Sequence, residues 1–450
     1  MLNSDHESAV SMELPQHDQP ASSGCENGAT FDDLPPELLL RILESIPRAE
    51  TGTLHSLSSV SHRLHQLVEP YLYQTVQHDV CVHKPLCYLI RTLIERPELA
   101  LLVRDIEILA WREYDSDKWS INRMDPKEVR PIRSAMATKA SEFRFHKQSK
   151  YWEIALSLGV DHAAVALLLF ITPNVENANL HHFICSNDFW FVQLLTAAYK
   201  DPEPDFKFQG LPRLKELTLQ AGSQEGARGL APFFLFPALS KLEVHKASDR
   251  YIQQDDWQPF TSNIDTLILN GCNLCVEITE AIIHSCKALK TFEWYTKPGK
   301  TARHLVTDRR FQTVSSALLQ HSASLEKLVI PPLPAFKRIP DKYPVLRDLR
   351  LFPQLKILRV ALDTILGRFG SDSDPELSLA NALPPNLEEL ELMFVWGYCD
   401  DAGIAPSSLA EANRKLLYTL SAFLGVSVTV EQWPSRTEIP LPDEDDFGSE

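Results

Sequence analysis

The sequence predicts an α/β protein: a short three-helix module near the N-terminus, followed by an irregular α/β solenoid. Two observations carry this. Residues 31–76 place apolar side chains at helical spacing behind a Leu34-Pro35-Pro36-Glu37 opening. From residue 77 onward a phrase recurs in which an apolar residue is followed by others at +3 and +5. Four copies, opening at Leu214, Leu239, Ile264 and Leu289, stand 25 residues apart, a period that points to stacked repeats.

The helical module comes first. Proline suits the first helical turn, where a missing N–H has no intrahelical partner to lose. Glu37 follows at the positive end of the helix dipole. Leu38, Leu39, Ile42, Leu43 and Ile46 then form one apolar stripe, and Pro47 ends the helix. A second short helix carries Leu54, Leu57 and Val60. A third carries Leu64, Leu67, Val68 and Tyr71, with Ser61 as its cap or a turn residue. Three short helices bury little surface, so the module needs a partner or a neighbouring domain.

The repeats follow. The four regular copies are Leu214/Leu217/Leu219, Leu239/Leu242/Val244, Ile264/Leu267/Leu269 and Leu289/Phe292/Trp294. Later copies are Leu325/Leu328/Ile330, Leu355/Leu358/Val360 and Leu387/Leu390/Leu392. Weaker ones are Val103/Ile106/Ile108 and Val175/Ala178/Leu180. The phrase Leu346/Leu349/Leu351 stands too close to Leu355 to be a repeat and reads as its approach. Within each copy the +3 and +5 side chains fall on one face of a short strand. A returning segment follows, clearest in the helix-like run Val276–Cys286. No single repeat can bury its own apolar face, so stacking supplies the core.

The expected organisation is a disordered polar segment at 1–30, the helical module at 31–76 and the solenoid at 77–433, with an acidic tail at 434–450. Residues 111–150, rich in charge and poor in periodicity, read as an insertion or long loop. Residues 410–424 read as an amphipathic helix, and Val426-x-Val428-x-Val430 as a closing strand.

Composition excludes several classes. A net charge of −16 disfavours nonspecific nucleic-acid binding, which needs cations to neutralise phosphates. Eight scattered cysteines do not form a disulfide framework. The apolar stretch Ala155–Ile171, interrupted by Asp161 and His162, falls short of the ~20 residues a bilayer requires. No secretory signal pattern opens the chain. A cytoplasmic or nuclear protein, away from membranes, is expected.

Catalytic and cofactor motifs are missing: no nucleophile elbow, zinc-protease helix or phosphate loop occurs. Cys272-x-x-Cys275, with His284 and Cys286, lacks the second ligand pair of a zinc site, and Cys272 falls on an inward repeat position. It reads as core. His181, His182 and Cys185 read as a loop. No metal, cofactor or catalytic residue is expected. In a solenoid of this kind the residues between the apolar positions face the inner curve. Lys215, Glu216, Lys241, Glu243, Lys290, Glu293, Lys356 and Arg359 are therefore the candidate partner-binding residues, beside Thr218, Asp265, Thr266, Ile268, Glu388 and Glu391.

Residues 31–76 resemble the F-box motif through Leu34-Pro35-x-Glu37, Ile42-Leu43, Leu54, Leu57, Val60-Ser61 and Arg63. The segment Pro47–Thr53 departs from it, with Gly52 where the family is more helical or acidic. The downstream phrases, such as Leu211–Leu219, resemble those of filamentous-fungal F-box proteins with leucine-rich repeats, making this a leucine-rich-repeat-like solenoid. The resemblance implies docking to the Skp-family linker of an SCF-type ubiquitin ligase, and through it to a cullin scaffold. The linker-facing residues would be Leu34, Pro35, Ile42, Leu43, Leu54, Leu57 and Val60, and the repeats would hold a substrate protein. Catalysis would belong to other subunits. The alternatives are a repeat-based scaffold acting outside the ligase and an enzyme without a recognisable motif.

Overall fold

A computed structural model describes residues 31–78, 86–109, 126–181, 211–220, 230–247, 257–295, 308–330, 346–361, 383–395 and 427–433, a few positions inside these ranges excepted, with residues 190, 194 and 365. The polar segment at 1–30, the acidic tail and the helix expected over 410–424 lie outside the described residues. The chain divides into two units, Met1–Glu69 and Pro70–Glu450.

In the first unit α1 spans Pro36–Ser45 and α2 Thr51–Ser58, and α3, His62–Leu72, runs across the division. The Pro35 carbonyl accepts from the N–H groups of Leu38 and Leu39, which opens α1 at the proline pair. The Ser61 hydroxyl oxygen accepts from Leu64 N at 3.2 Å, so Ser61 caps α3. Leu39, Leu43, Leu54, Leu64 and Val68 are buried and form the small core.

The second unit is built on an eleven-stranded sheet in chain order, every pair parallel. Its strands are β1 (Thr75–His78), β2 (Asp105–Ile108), β3 (Asn177–Leu180), β4 (Glu216–Gln220), β5 (Lys241–His245) and β6 (Thr266–Asn270). They continue as β7 (Thr291–Tyr295), β8 (Lys327–Ile330), β9 (Ile357–Ala361), β10 (Glu389–Val395) and β11 (Ser427–Trp433). This is a parallel α/β solenoid.

The repeated phrase fits the register. Ile106, Ala178, Leu217, Leu242, Leu267, Phe292, Leu328, Leu358 and Leu390 stand side by side across successive strands. All are buried, as are the residues two further on from Ile108 to Leu392. The first strand was not among the sequence copies: β1 supplies Val76, opposite Ile106. The expected boundary at 76/77 therefore falls inside a strand. Leu349–Leu351 forms a short 3-10 turn leading to Leu355.

Register is kept where the chain enters each strand. The carbonyl of the residue before a strand accepts two N–H groups from the next repeat. Lys215 O takes Ser240 N and Lys241 N; Asp265 O takes Lys290 N and Thr291 N; Lys290 O takes Glu326 N and Lys327 N. Two lone pairs on one oxygen make this possible. Leaving the strands, Lys246 and Gly271 both adopt positive φ, 59° and 63°. They are 25 residues apart, so successive regular repeats turn out of the sheet in the same way. Glycine takes that conformation without the Cβ strain that Lys246 bears.

Helices return the chain between strands: α4 (Leu86–Glu95) and α5 (Pro97–Ala100), then α6 (Pro126–Ser141), α7 (His146–Leu158) and α8 (Asp161–Ile171). Further on come α9 (Val276–Ser285) and α10 (Asp308–Leu319). Of the stretch 111–150, expected as an insertion or a long loop, α6 and the start of α7 occupy the latter part, while Trp111 and Trp119 lie outside the described residues. The signal was weak because, among the described side chains of α6, Ile132, Met136 and Ala140 alone of its apolar residues are buried, amid Lys127, Arg130, Arg133 and Lys139, with Pro131 inside the helix. Trp152 of α7 is buried, donates to Ala163 O at 3.1 Å and stacks near Phe143 and Phe170. Among the described residues no single helix is long and apolar enough to cross a membrane. Residues of α7 and α8 pass such a test only as a pair bent by 115°, and Ala163–Phe170 are buried in the core.

Candidate functional site

The helical module splits its apolar stripe into two faces. Leu43 and Leu54, expected to face a partner, are instead buried in the module's own core. Leu34 and Leu57 are half-buried, and Pro35 is exposed. Ile42 and Val60 are 37% and 66% exposed, and Leu38 is 46% exposed. Leu38 belonged to the stripe in the sequence but was not among the expected contacts. Helix periodicity identifies a stripe; which edge of it a neighbouring helix covers depends on how α1, α2 and α3 cross. Pro35, Leu38 and Ile42, spaced along one side of α1, stand in water, an arrangement that burial against another chain would stabilise.

On the sheet, the expected partner-binding residues lie at outward strand positions (Glu216, Lys241, Glu243, Glu293, Arg359) or just before the strands (Lys215, Lys290, Lys356), and most are engaged in ion pairs across strands. Lys215 pairs with Glu176 at 3.0 Å, Lys241 with Glu216 at 3.3 Å and Lys290 with Asp265 at 2.9 Å. Lys356 pairs with Glu326 at 3.6 Å and Arg359 with Glu391 at 2.8 Å. The side-chain hydrogen bond to Asp265 raises the Lys290 pKa above the ordinary lysine value. Pairs this exposed contribute little stability each. Their order is regular: along the positions preceding the strands the residues are Arg104, Glu176, Lys215, Ser240, Asp265, Lys290, Glu326, Lys356 and Glu388. Charge alternates from neighbour to neighbour, with Ser240 neutral. Alternation of this kind favours the native register over a slip by one repeat.

Glu293 differs from the rest. It is only 8% exposed and is held by Lys327 at 2.6 Å and by the Tyr295 hydroxyl, which donates to it at 2.9 Å. Burial first, and the Glu293 carboxylate second, push the Tyr295 pKa up to about 12. Glu293 is thus a structural anchor of β7 and β8. Glu243 lies 2.8 Å from the ring of His245. Thr266 and Ile268 are half-buried on the same outward face, as is Thr218. Lys327, Tyr295, His245, Glu176 and Glu326 escaped the sequence reading; only the strand register shows which charges of different repeats meet.

The candidate zinc cluster is not assembled in the described residues. Cys272 and Cys286 are buried, and Cys275 lies outside the described residues, as do His182 and Cys185. Cys272 donates to the Val244 carbonyl of the preceding repeat at 3.2 Å, and desolvation pushes its thiol pKa up to about 12. Burial raises Cys286 as well. Thiols held protonated are poor metal ligands. Among the described residues no group of His, Cys, Asp and Glu is arranged to hold a metal ion.

Fold and faces together define a protein made of a small three-helix module and a parallel-strand solenoid. Residues 31–78 match the family model described as F-box-like, and the chain accordingly carries an F-box-like domain. The F-box-like domain is a module that binds the Skp-family linker. A comparison with curated proteins finds no match to the chain.

Proposed function

We propose that this chain is a substrate-recognition adaptor of an SCF-type E3 ubiquitin ligase, a non-catalytic subunit. Its F-box-like domain docks to the Skp-family linker and through it to a cullin scaffold, while the leucine-rich-repeat-like solenoid holds a substrate protein. One observation carries the reading: within the matched segment, α1 keeps Leu38 and Ile42 in water beside Pro35, although the module's own core is complete without them. Covering Leu38 and Ile42 stabilises the complex by roughly 1 kcal/mol each, since each is already partly buried. The adaptor supplies proximity, holding a substrate lysine near the ubiquitin-charged enzyme.

Co-purification of the full chain with a Skp-family linker tests this. Wild type retains the linker, and a Leu38→Asp/Ile42→Asp variant loses it while its thermal unfolding stays unchanged. Absence of retention in the wild-type chain would overturn the adaptor reading.

A further inference from the structure

The outward face of the sheet is not uniform. Along β7–β10 the outward Glu293, Val329, Ala361 and Met393 are buried, and the partly exposed Arg359 and Glu391 are paired with each other. Along β2–β5 the corresponding side chains are partly exposed. On that half, Lys215 and Lys241 are each matched by a carboxylate, and Lys290 beyond them by Asp265. Two carboxylates in the middle row of that half are met by side chains other than lysine or arginine. Glu107 accepts from the amides of Gln77 at 3.0 Å and Asn179 at 3.3 Å. Glu243 is met by the imidazole of His245. Lys215 and Lys241 are engaged by Glu176 and Glu216 and are not offered to Glu107 or Glu243.

The two carboxylates share one row. Glu107 is opposite Asn179, Asn179 opposite Thr218, and Thr218 opposite Glu243. Three strand spacings separate them, about 14 Å. An extended chain rises about 3.3 Å per residue, so residues i and i+4 span that distance and, being an even number apart, point to the same side. We infer that the outward face of β2–β5 receives an extended segment of the substrate protein lying across the strands. That segment carries Lys or Arg at two positions four residues apart, one on Glu107 and one on Glu243. Asn179 and Thr218 lie under the residues between. This rests on the adaptor reading only for calling the bound protein a substrate.

The test uses the full chain on an array of nine-residue peptides. Lys, Glu or Thr is placed at every pair of positions in a Thr/Val frame. Binding above the all-Thr frame is expected for Lys pairs separated by four, and not for Glu pairs or for Lys pairs separated by three. Glu107→Gln and Glu243→Gln each reduce it at least ~10-fold, since each removes one ion pair. His245→Lys, which leaves both carboxylates in place but supplies Glu243 with a fixed cation, reduces it as well. Circular dichroism melts of each variant show that the fold is kept. Absence of Lys-dependent binding, or equal binding by the Glu107→Gln/Glu243→Gln double variant, overturns the inference. No linker is present in the assay, so its failure is separable from failure of linker docking.

Discussion

The guanidinium of Arg63, on α3, donates from Nη2 to the carbonyl oxygen of Leu34 at 2.8 Å. This bond ties the third helix to the segment that enters α1. It positions the proline pair, and so aims the exposed side of α1. Replacing Arg63 by Met keeps the stem and removes the donor. The module should lose about 1–2 kcal/mol, the range for a charged donor on a partly buried carbonyl. Urea unfolding read on the 31–78 region by hydrogen exchange checks this, and linker retention should fall in parallel.

The two faces of the apolar stripe should respond differently to truncation. Leu43→Ala and Leu54→Ala remove buried side chains and should each cost about 2–4 kcal/mol. Leu38→Ala should leave stability within about 0.5 kcal/mol yet weaken linker binding. Paired unfolding and binding curves separate these outcomes. If Leu54→Ala weakened binding with no change in stability, the assignment of faces would be wrong.

Gly52 lies in the first turn of α2, and a Cβ built on it meets nothing within 4 Å. Gly52→Ala should therefore stabilise the module by about 0.5–1 kcal/mol, through reduced freedom of the unfolded chain. A rise in the unfolding midpoint of the variant checks this, and a fall would show strain that the open space around Gly52 does not suggest.

His321 is buried. Its Nδ1 accepts from Leu289 N at 3.3 Å, and its Nε2 lies 3.1 Å from the Ile283 carbonyl, an arrangement suited to a neutral ring. Burial first, and His284 nearby, lower its pKa below the ordinary histidine value. The unfolded chain therefore binds this proton at higher pH than the folded chain does. Stability is full above the ordinary histidine pKa, about 6.5, and is lost as the pH falls through the folded value. Denaturant unfolding between pH 8 and pH 5 should show the loss. It should be smaller in His321→Gln, although that variant starts less stable. Glu280 faces His284 at 3.5 Å, and a Glu280→Gln control separates that contact from the effect of His321.

Cys272 and Cys286 should resist alkylation at pH 8 in the folded chain, because burial keeps both thiols protonated and out of reach. Peptide mapping after iodoacetamide, with and without urea, reads this directly. Modification of Cys272 without denaturant would show that its repeat opens.

The repeat was legible because its cause is local. Every strand must offer two inward side chains to the stack, so Leu217/Leu219 or Phe292/Trp294 announce themselves at +3 and +5 wherever the chain folds that way. The same holds for the Leu-Pro-Pro-Glu opening of α1 and the Ser61 cap, each a contact between residues a few positions apart. Strand β1 was missed because its four residues offer only Val76 as an unmistakable inward apolar residue. Helix α6 was missed because Met136 and Ala140 hardly stand out among its charges.

By itself the sequence determined the order of the regular repeats, the inward residues of their strands and the stripe on α1. Only the tertiary structure decided which side of that stripe is spent on the module's own core, leaving Leu38 outside and Leu43 within. Only the structure paired Lys215 with Glu176 and Lys290 with Asp265, and set Glu107 against Gln77 and Asn179 and Glu243 against His245. The physical reason is range. Periodicity is set by bonds a few residues long, whereas burial and ion pairing depend on how helices cross and on which residues, 25 or more positions apart, the strand register brings side by side.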